Sequence, residues 1–344
     1  MSRTEFANEH ERELHQKVKE LILFNGSDAE SFDADLISQI IWSSLKLLKE
    51  NHSTGQIKLM ARAFKEMRYA YNIFNRHPQS RRISIFGSAR TPVTHPDYLV
   101  AKLFGAEMAK KGWVCITGAA DGIMKAGLEG AKKESSFGLS IRLPFESTTN
   151  SFLMGDPKLI TFHYFFTRKL MFLSHSDAVA AFPGGVGTQD ELFEVLTLMQ
   201  TGKANIIPLV LIQGSGTYWN EWLHYIHINL LEQGWINQED LNLFYLAPSY
   251  SDALDHIEKF YCRYHSSRYV KELLVIRMLS PLSEEQIEKL NEDFSKILVK
   301  SGKIYATSAL EEEKDHLDLP RLAFEHNHMH FGSLRLMIDR INNF

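Results

Sequence analysis

The stretch AVAAFPGGVGTQDELFEV (178–195) runs from apolar residues through a glycine-rich corner into a helical pattern that carries a carboxylate, Glu191. Glycines let a backbone come close to a ligand, and the helix start beyond them offers free N–H groups and partial positive charge, a ready anion site. Two uses of Glu191 fit this spacing. In one, Thr188 is the N-cap and Glu191 reaches back from the third helical position. That is a capping box, worth about 1 kcal/mol and needing no function. In the other, a phosphate takes the helix start and frees Glu191 to face the attached sugar. A fixed carboxylate there would stabilise the positive charge that builds on a ribose as its N-glycosidic bond breaks, or orient the attacking water. Phosphate contacts remote from the broken bond would hold the ribose in place.

Two further corners have the same character: Gly87, Ser88 and Arg90 in FGSAR, and Gly118, Asp121 and Gly122 in TGAADGIM. One such corner is ordinary in a strand-to-helix turn, but three on one sheet edge point to a phosphate-bearing ligand. None is followed by the Lys-Ser/Thr of a P-loop, and none completes a dinucleotide fingerprint with its distant acid, so ATPase and dehydrogenase readings fall. Arg168 and Lys169, in YFFTRKLMF, are either a solvated pair at a helix start or working cations. They lie among aromatics, where an idle charge is costly. Arg168 could clamp phosphate or donate to the leaving base. His326, His328 and His330 alternate as they would along one face of a strand, and imidazole is a common metal ligand. Only Glu325 adjoins them, with no carboxylate or cysteine at metal spacing, so pairing or packing is expected and no metal.

The elements that must position these residues fall into three regions. Residues 1–80 carry apolar residues at helical spacing in DADLISQIIWSSLKLLKE and GQIKLMARAFKEMRYAYNIFN. Over 81–265, the runs ISIFG, WVCITG, FGLSIRLP, KLITF, AVAAFPGG and IIPLVLIQ read as strands, with helical patterns between most of them. Continuously apolar strands separated by helices predict a doubly wound, Rossmann-like α/β domain with a parallel sheet buried on both faces. Its ligands would lie beyond the carboxyl ends of the strands. GTYWNEWLHYIHINLLEQGW reads as a core helix whose Trp residues pack. Residues 266–344 suggest a small α+β appendage, with strands at ELLVIRML and KIYATSAL, a helix between them and another at the end. ALEEEKDHLD is expected to be an exposed acidic loop.

A formal net charge of −4 and a pI near 6.4 give no global field toward nucleic acid or an anionic membrane. The N-terminus lacks the apolar core of a signal peptide, and no apolar stretch approaches the ~18 residues of a membrane span. Cys115 and Cys262 belong to no spaced cluster and are expected as buried thiols of a reducing, cytoplasmic protein.

The segment FFTRKLMFLSHSDAVAAFPGGVGTQDELFEVLTLMQTGK closely resembles the LONELY GUY (LOG) family, long labelled lysine decarboxylases. Its signature P-G-G-x-G-T-x-x-E is met by Pro183, Gly184, Gly185, Gly187, Thr188 and Glu191. The upstream Arg-Lys pair is met by Arg168 and Lys169, and the opening GSA by Gly87, Ser88 and Ala89. The resemblance covers roughly 80–265. It implies a phosphoribohydrolase that splits nucleoside 5′-monophosphates, AMP foremost, into free base and ribose 5-phosphate without metal or cofactor. It further implies a homodimer or larger homo-oligomer with active sites near the subunit interface. Arg168 and Glu191 would be catalytic, and Gly184, Gly185, Gly187 and Thr188, with Ser88 and Lys169, would hold phosphate. A decarboxylase would need a pyridoxal-binding lysine in a cofactor pocket, and nothing marks one. The chain departs at Thr117-Gly-Ala-Ala-Asp-Gly122, where the family is usually richer in glycine. Ala119 and Ala120 narrow the room there. Asp121 would repel phosphate or bind the ribose hydroxyls. Two other readings stay open: a nucleotide-binding regulatory protein with weak turnover, and a single-stranded-DNA-binding relative. The charge balance argues against the latter.

Overall fold

In a computed structural model, the chain is described at residues 9–78, 80–143 and 151–344. It divides into two compact units, Met1–Glu66 and Met67–Phe344. In the first, α1 (Glu9–Phe24) and α2 (Phe32–Lys46) share a small core of Val18, Ile22, Ala29 and Ala34. The Ser31 hydroxyl caps α2 by accepting from the Ala34 N–H at 3.2 Å. The boundary falls inside α3 (Thr54–Asn75) rather than near residue 80.

The second unit opens with β1 (Arg82–Phe86), α4 (Pro96–Lys110), β2 (Val114–Thr117), α5 (Ile123–Ala131), β3 (Ser136–Ile141) and β4 (Leu159–Phe162). It continues with α6 (Phe165–Ser174), β5 (Ala178–Ala181), α7 (Val186–Gln200), β6 (Leu209–Leu211), α8 (Tyr218–Ile226), β7 (Tyr245–Leu246) and α9 (Tyr250–Phe260). The seven strands form one parallel sheet in the order β4-β3-β2-β1-β5-β6-β7. Ile83, Ile85, Cys115, Ala178 and Val210 meet α4, α5 and α9 on one face, where Tyr98, Phe104, Ala126 and Ile257 are buried. On the other face Phe172, Leu192, Val195 and Trp219 of α6, α7 and α8 cover Phe86, Ile116 and Val179. Covering both faces explains why these strands are apolar throughout. The strand order places β2, β1 and β5 side by side, so the three glycine corners open on one edge. Chain direction across the sheet reverses between β1 and β5, the place where such folds leave a crevice.

The remaining elements are β8 (Tyr264–Val270), β9 (Leu273–Met278), α10 (Glu284–Asp293), β10 (Tyr305–Thr307), β11 (Arg321–Glu325) and α11 (Phe331–Asn343). Their antiparallel sheet runs β10-β11-β9-β8. Leu274, Ile276, Leu322 and Phe324 turn to the core of the central sheet, joined by Met337, Ile338 and Ile341 of α11. Val275 and Ala323 turn the other way, toward Val270.

Several expectations change. The aromatic run buries Trp219 and Trp222, but its α-helix ends at Ile226, gives way to a π-turn over His227–Leu231 and leaves Trp235 73% exposed. Cys115 is buried, whereas Cys262 is exposed in the bend after α9. The histidines do not lie along a strand: His328 and His330 have φ of +57° and +59°. His326 is buried and its Nδ1 accepts from the His328 N–H at 3.2 Å, with the Tyr269 hydroxyl 2.9 Å away. His330 pairs with Glu239. Among the described residues, no group of three or more His, Cys, Asp or Glu could hold a metal ion.

The acidic loop is not wholly exposed either. The Glu313 side chain has no exposure and bridges two buried arginines, Arg277 of β9 at 2.6 Å and Arg321 of β11 at 2.8 Å. Burial alone would raise the Glu313 carboxyl, but these guanidiniums and the Leu310 N–H hold it below its ordinary range. Removing one partner from such a cluster strands the others in an apolar setting. Glu313→Gln should therefore cost about 3–5 kcal/mol in urea denaturation, while Glu312→Gln, at an exposed neighbour, should cost under about 0.5 kcal/mol. Equal small losses would show that the cluster is not stabilising.

Candidate active site

The helix that carries Glu191 starts at Val186, three residues earlier than a capping box requires. Gly185 is the N-cap and no side chain caps the helix. Thr188 is then the third helical residue, donating its own N–H to the Gly185 carbonyl at 3.0 Å. Glu191 is the sixth, beyond reach of the N-cap. The capping-box reading is thereby overturned, and the first N–H groups of α7 are left without intrahelical partners.

Glu191 instead turns inward, 7% exposed, with its Oε1 3.6 Å from Nη2 of Arg168 on α6. Burial pushes its carboxyl up to about 7, with Asp190 and Glu194 adding to the rise and Lys169 and Arg168 opposing it. The Arg168 guanidinium sits 5.0 Å from the Phe165 ring and 5.8 Å from the Phe172 ring. Burial lowers its affinity for its proton, and Glu191 and Asp190 work the other way. Its Nε is buried without a hydrogen-bond partner among the described residues. A separation of 3.6 Å is attraction without a hydrogen bond, so both groups keep capacity for a third party.

The pair lies in a cleft of about 1070 Å³ at the carboxyl edge of the sheet, ample for a nucleotide-sized ligand. Of the residues singled out in the sequence, Gly87, Ser88, Arg90, Gly118, Arg168, Gly185, Gly187, Thr188 and Glu191 line it. Ser88 laces the three corners together. Its N–H donates to the Pro183 carbonyl at 3.1 Å, its carbonyl accepts from the Ile123 N–H at 3.0 Å, and its hydroxyl accepts from the Arg90 N–H at 3.1 Å.

Four residues expected at the ligand are not on the cleft wall. A Cβ on Gly184 would lie 2.1 Å from Thr188 Oγ1, so this glycine makes room for the threonine. Gly122, at φ +63°, passes so close to the Ser88 carbonyl that a Cβ would meet it at 2.2 Å. Asp121 is exposed and adds to the charge around Tyr98, whose hydroxyl is pushed up to about 12 chiefly by burial. Lys169 ion-pairs with Asp190 at 2.8 Å and Glu194 at 2.7 Å. Ala119, where the family favours glycine, takes φ +52° itself, with Gly138 alongside leaving space for its methyl group.

Sequence reasoning missed other parts. Arg142 at the end of β3 and Phe165 at the start of α6 both line the cleft. A basic residue closing a strand at the same edge was the available signal for Arg142. The Tyr218 hydroxyl of α8 donates to the Gly184 carbonyl at 2.6 Å and accepts from Gln189, which also takes the Trp222 indole N–H at 2.9 Å. The aromatic helix therefore buttresses the corner as well as packing.

A carboxyl held near 7 in the fold and near 4.5 in the unfolded chain binds its proton more tightly when folded. Its stability contribution is then lost as pH rises from about 4.5 to 7, and above that the ionised, buried group costs ~3 kcal/mol. Glu191→Gln should be more stable than the native protein at pH 8, by a margin that shrinks toward pH 5. Denaturation curves at both pH values check this, and a variant less stable at pH 8 would show that the carboxylate is structural.

Residues 113–257 match the family model described as "Possible lysine decarboxylase". Cytokinin riboside 5′-monophosphate phosphoribohydrolase LOG1 of Arabidopsis thaliana is 35% identical over 97 residues, which is 28% of this chain and 44% of that protein. The probable enzyme LOGL3 of Oryza sativa subsp. japonica is 36% identical over 98 residues, again 28% and 44%. The chain thus spans less than half the length of the curated relatives it matches. Among solved structures, the molybdenum cofactor binding protein of Rippkaea orientalis is 22% identical, with a TM-score of 0.38 over 53% of this chain and 97% of that one. The Arg-Lys pair and the P-G-G-x-G-T-x-x-E run fall within the segment matched by the family model, and the chain is similar over part of its length to these LOG enzymes.

Proposed function

We propose that the protein hydrolyses the N-glycosidic bond of purine nucleoside 5′-monophosphates, AMP foremost, to free base and ribose 5-phosphate. The observation that carries this reading is a buried carboxylate and a buried guanidinium facing each other beside an uncapped helix start in one cleft. The phosphate takes the N–H groups at the start of α7, where the helix dipole favours an anion. The ribose then extends toward Glu191. As the bond from C1′ to the base nitrogen lengthens, positive charge grows on the ring and the ionised Glu191 stabilises it or aligns the water. Water adds hydroxide to C1′, and its proton goes to the departing base. Arg168, with an unsatisfied Nε, donates to the base or the sugar as the base departs. Water-excluding neighbours such as Phe172 strengthen both charges.

The names of the relatives, which act on cytokinin riboside 5′-monophosphates, support the substrate class. Among the described residues no helix is long and apolar enough to cross a membrane, in keeping with a cytoplasmic enzyme on a soluble substrate. A homo-oligomer belongs to the same reading. It is supported by Phe165, Phe166 and Leu170, which are 50%, 52% and 44% exposed along α6 beside the cleft.

Chromatography of reactions with a panel of nucleoside 5′-monophosphates should detect free adenine from AMP and far less from adenosine, which lacks the phosphate anchor. Glu191→Gln should fold and lose turnover by about 100-fold or more. Nucleotide binding with no base released from any member of the panel would instead make the protein a nucleotide-binding regulator.

A further inference from the structure

The sequence offered Lys169 as a phosphate contact, yet its amine is spent elsewhere. It reaches from α6 to α7 and bonds Asp190 and Glu194, with its own side chain only 12% exposed. Those two carboxylates flank Glu191 on the same helix, at one residue before it and three after. Three acids within five residues thus face two cations, Arg168 and Lys169, so the group carries one excess negative charge whenever Glu191 is ionised. We propose that Lys169 is a positioning residue: by neutralising Asp190 and Glu194 it lets the buried Glu191 carry its negative charge facing Arg168.

The charged groups around Glu191 can be enumerated by element. Arg168 and Lys169 come from α6, and Asp190 and Glu194 from α7. Arg90 after β1 and Arg142 after β3 stand on the wall of the same cleft. The walls from the β2 corner and α5, Gly118, Ala119, Ala120 and Met124, add no charge. Lys169 leads the influences that favour ionised Glu191, and Glu194 and Asp190 are the charges that oppose it.

This arrangement predicts opposite signs from the two ends of one ion pair. Lys169→Met removes a cation and should move the Glu191 titration up by about one pH unit, while Glu194→Gln removes an anion and should move it down by a similar amount. Asp190→Asn should act in the same direction as Glu194→Gln. A purely mechanical strut would respond differently, because cutting it from either end loosens the same contact and displaces the titration in one direction or not at all. A substrate contact would leave the titration in place and raise KM.

The experiment is a 13C NMR titration of the full chain labelled at glutamate carboxyls, with Glu191→Gln assigning the resonance and melting curves confirming that each variant folds. Opposite displacements support the proposal; shifts of the same sign, or none, overturn it. Should Lys169→Met not fold, the equally uncharged Lys169→Gln takes its place with the same expected upward shift. The proposal rests on the hydrolase reading only for its second arm, in which the acid limb of kcat/KM for AMP follows the NMR midpoints. Failure of the hydrolase reading is distinguishable, since it abolishes base release in every form and leaves the titration intact. An acid limb that stays fixed while the midpoints move overturns the assignment of that limb to Lys169 acting through Glu191.

Discussion

A carboxylate and a guanidinium, both taken out of water and held 3.6 Å apart, set the terms for the rest of this molecule. Each is costly to bury alone. Their partnership requires α6 and α7 to lie side by side at the carboxyl edge of the sheet, delivered there by the outermost strand β4 and the fully buried β5. The pair is left short of a hydrogen bond, so burial has been tolerated without full compensation. Carboxyls pushed up in this way cluster where chemistry occurs.

The surroundings show how that tension is held. The α7 start is kept free of any side-chain cap, while its approach is fixed from behind by Tyr218, Gln189 and Trp222. The three corners are tied through the backbone of Ser88, which bonds Pro183 and Ile123, so the chain itself shapes the crevice. Glycines serve here mostly by allowing chain to approach chain. Gly122 passes the Ser88 carbonyl and Gly184 admits Thr188, whereas Gly185 and Gly187 have open space where a side chain would stand. Preorganisation of this kind lets contacts far from the reacting bond contribute to catalysis.

Much of the central sheet was legible because burial on both faces writes itself as continuous apolar runs, from ISIFG to IIPLVLIQ. The glycine corners and the Arg-Lys pair were legible because glycine recurs at successive strand ends and two cations sit among aromatics, although chain packing accounts for part of the glycine. What escaped notice depends on partners distant in the chain. Glu313 looks like any residue of an acidic loop until β9 and β11 bring Arg277 and Arg321 to it. β11 itself, RLAFE, begins with one of those arginines and carries no alternation to mark it. The histidine run has the spacing of a strand, but left-handed turns at His328 and His330 break that geometry, leaving His326 and His328 against Tyr269 and His330 on Glu239. Helix phase at Glu191 was also hidden, because Gly185 and Thr188 are both acceptable N-caps by composition. Only the backbone shows which one serves.

The most direct test of the account is a crystal structure of Glu191→Gln with AMP bound. The account predicts the phosphate on the N–H groups that begin α7 and C1′ within about 4 Å of residue 191 and the Arg168 guanidinium, as a near-attack arrangement requires. A nucleotide whose phosphate sits instead against Arg90 and Arg142, with its glycosidic bond turned away from residue 191, would contradict it.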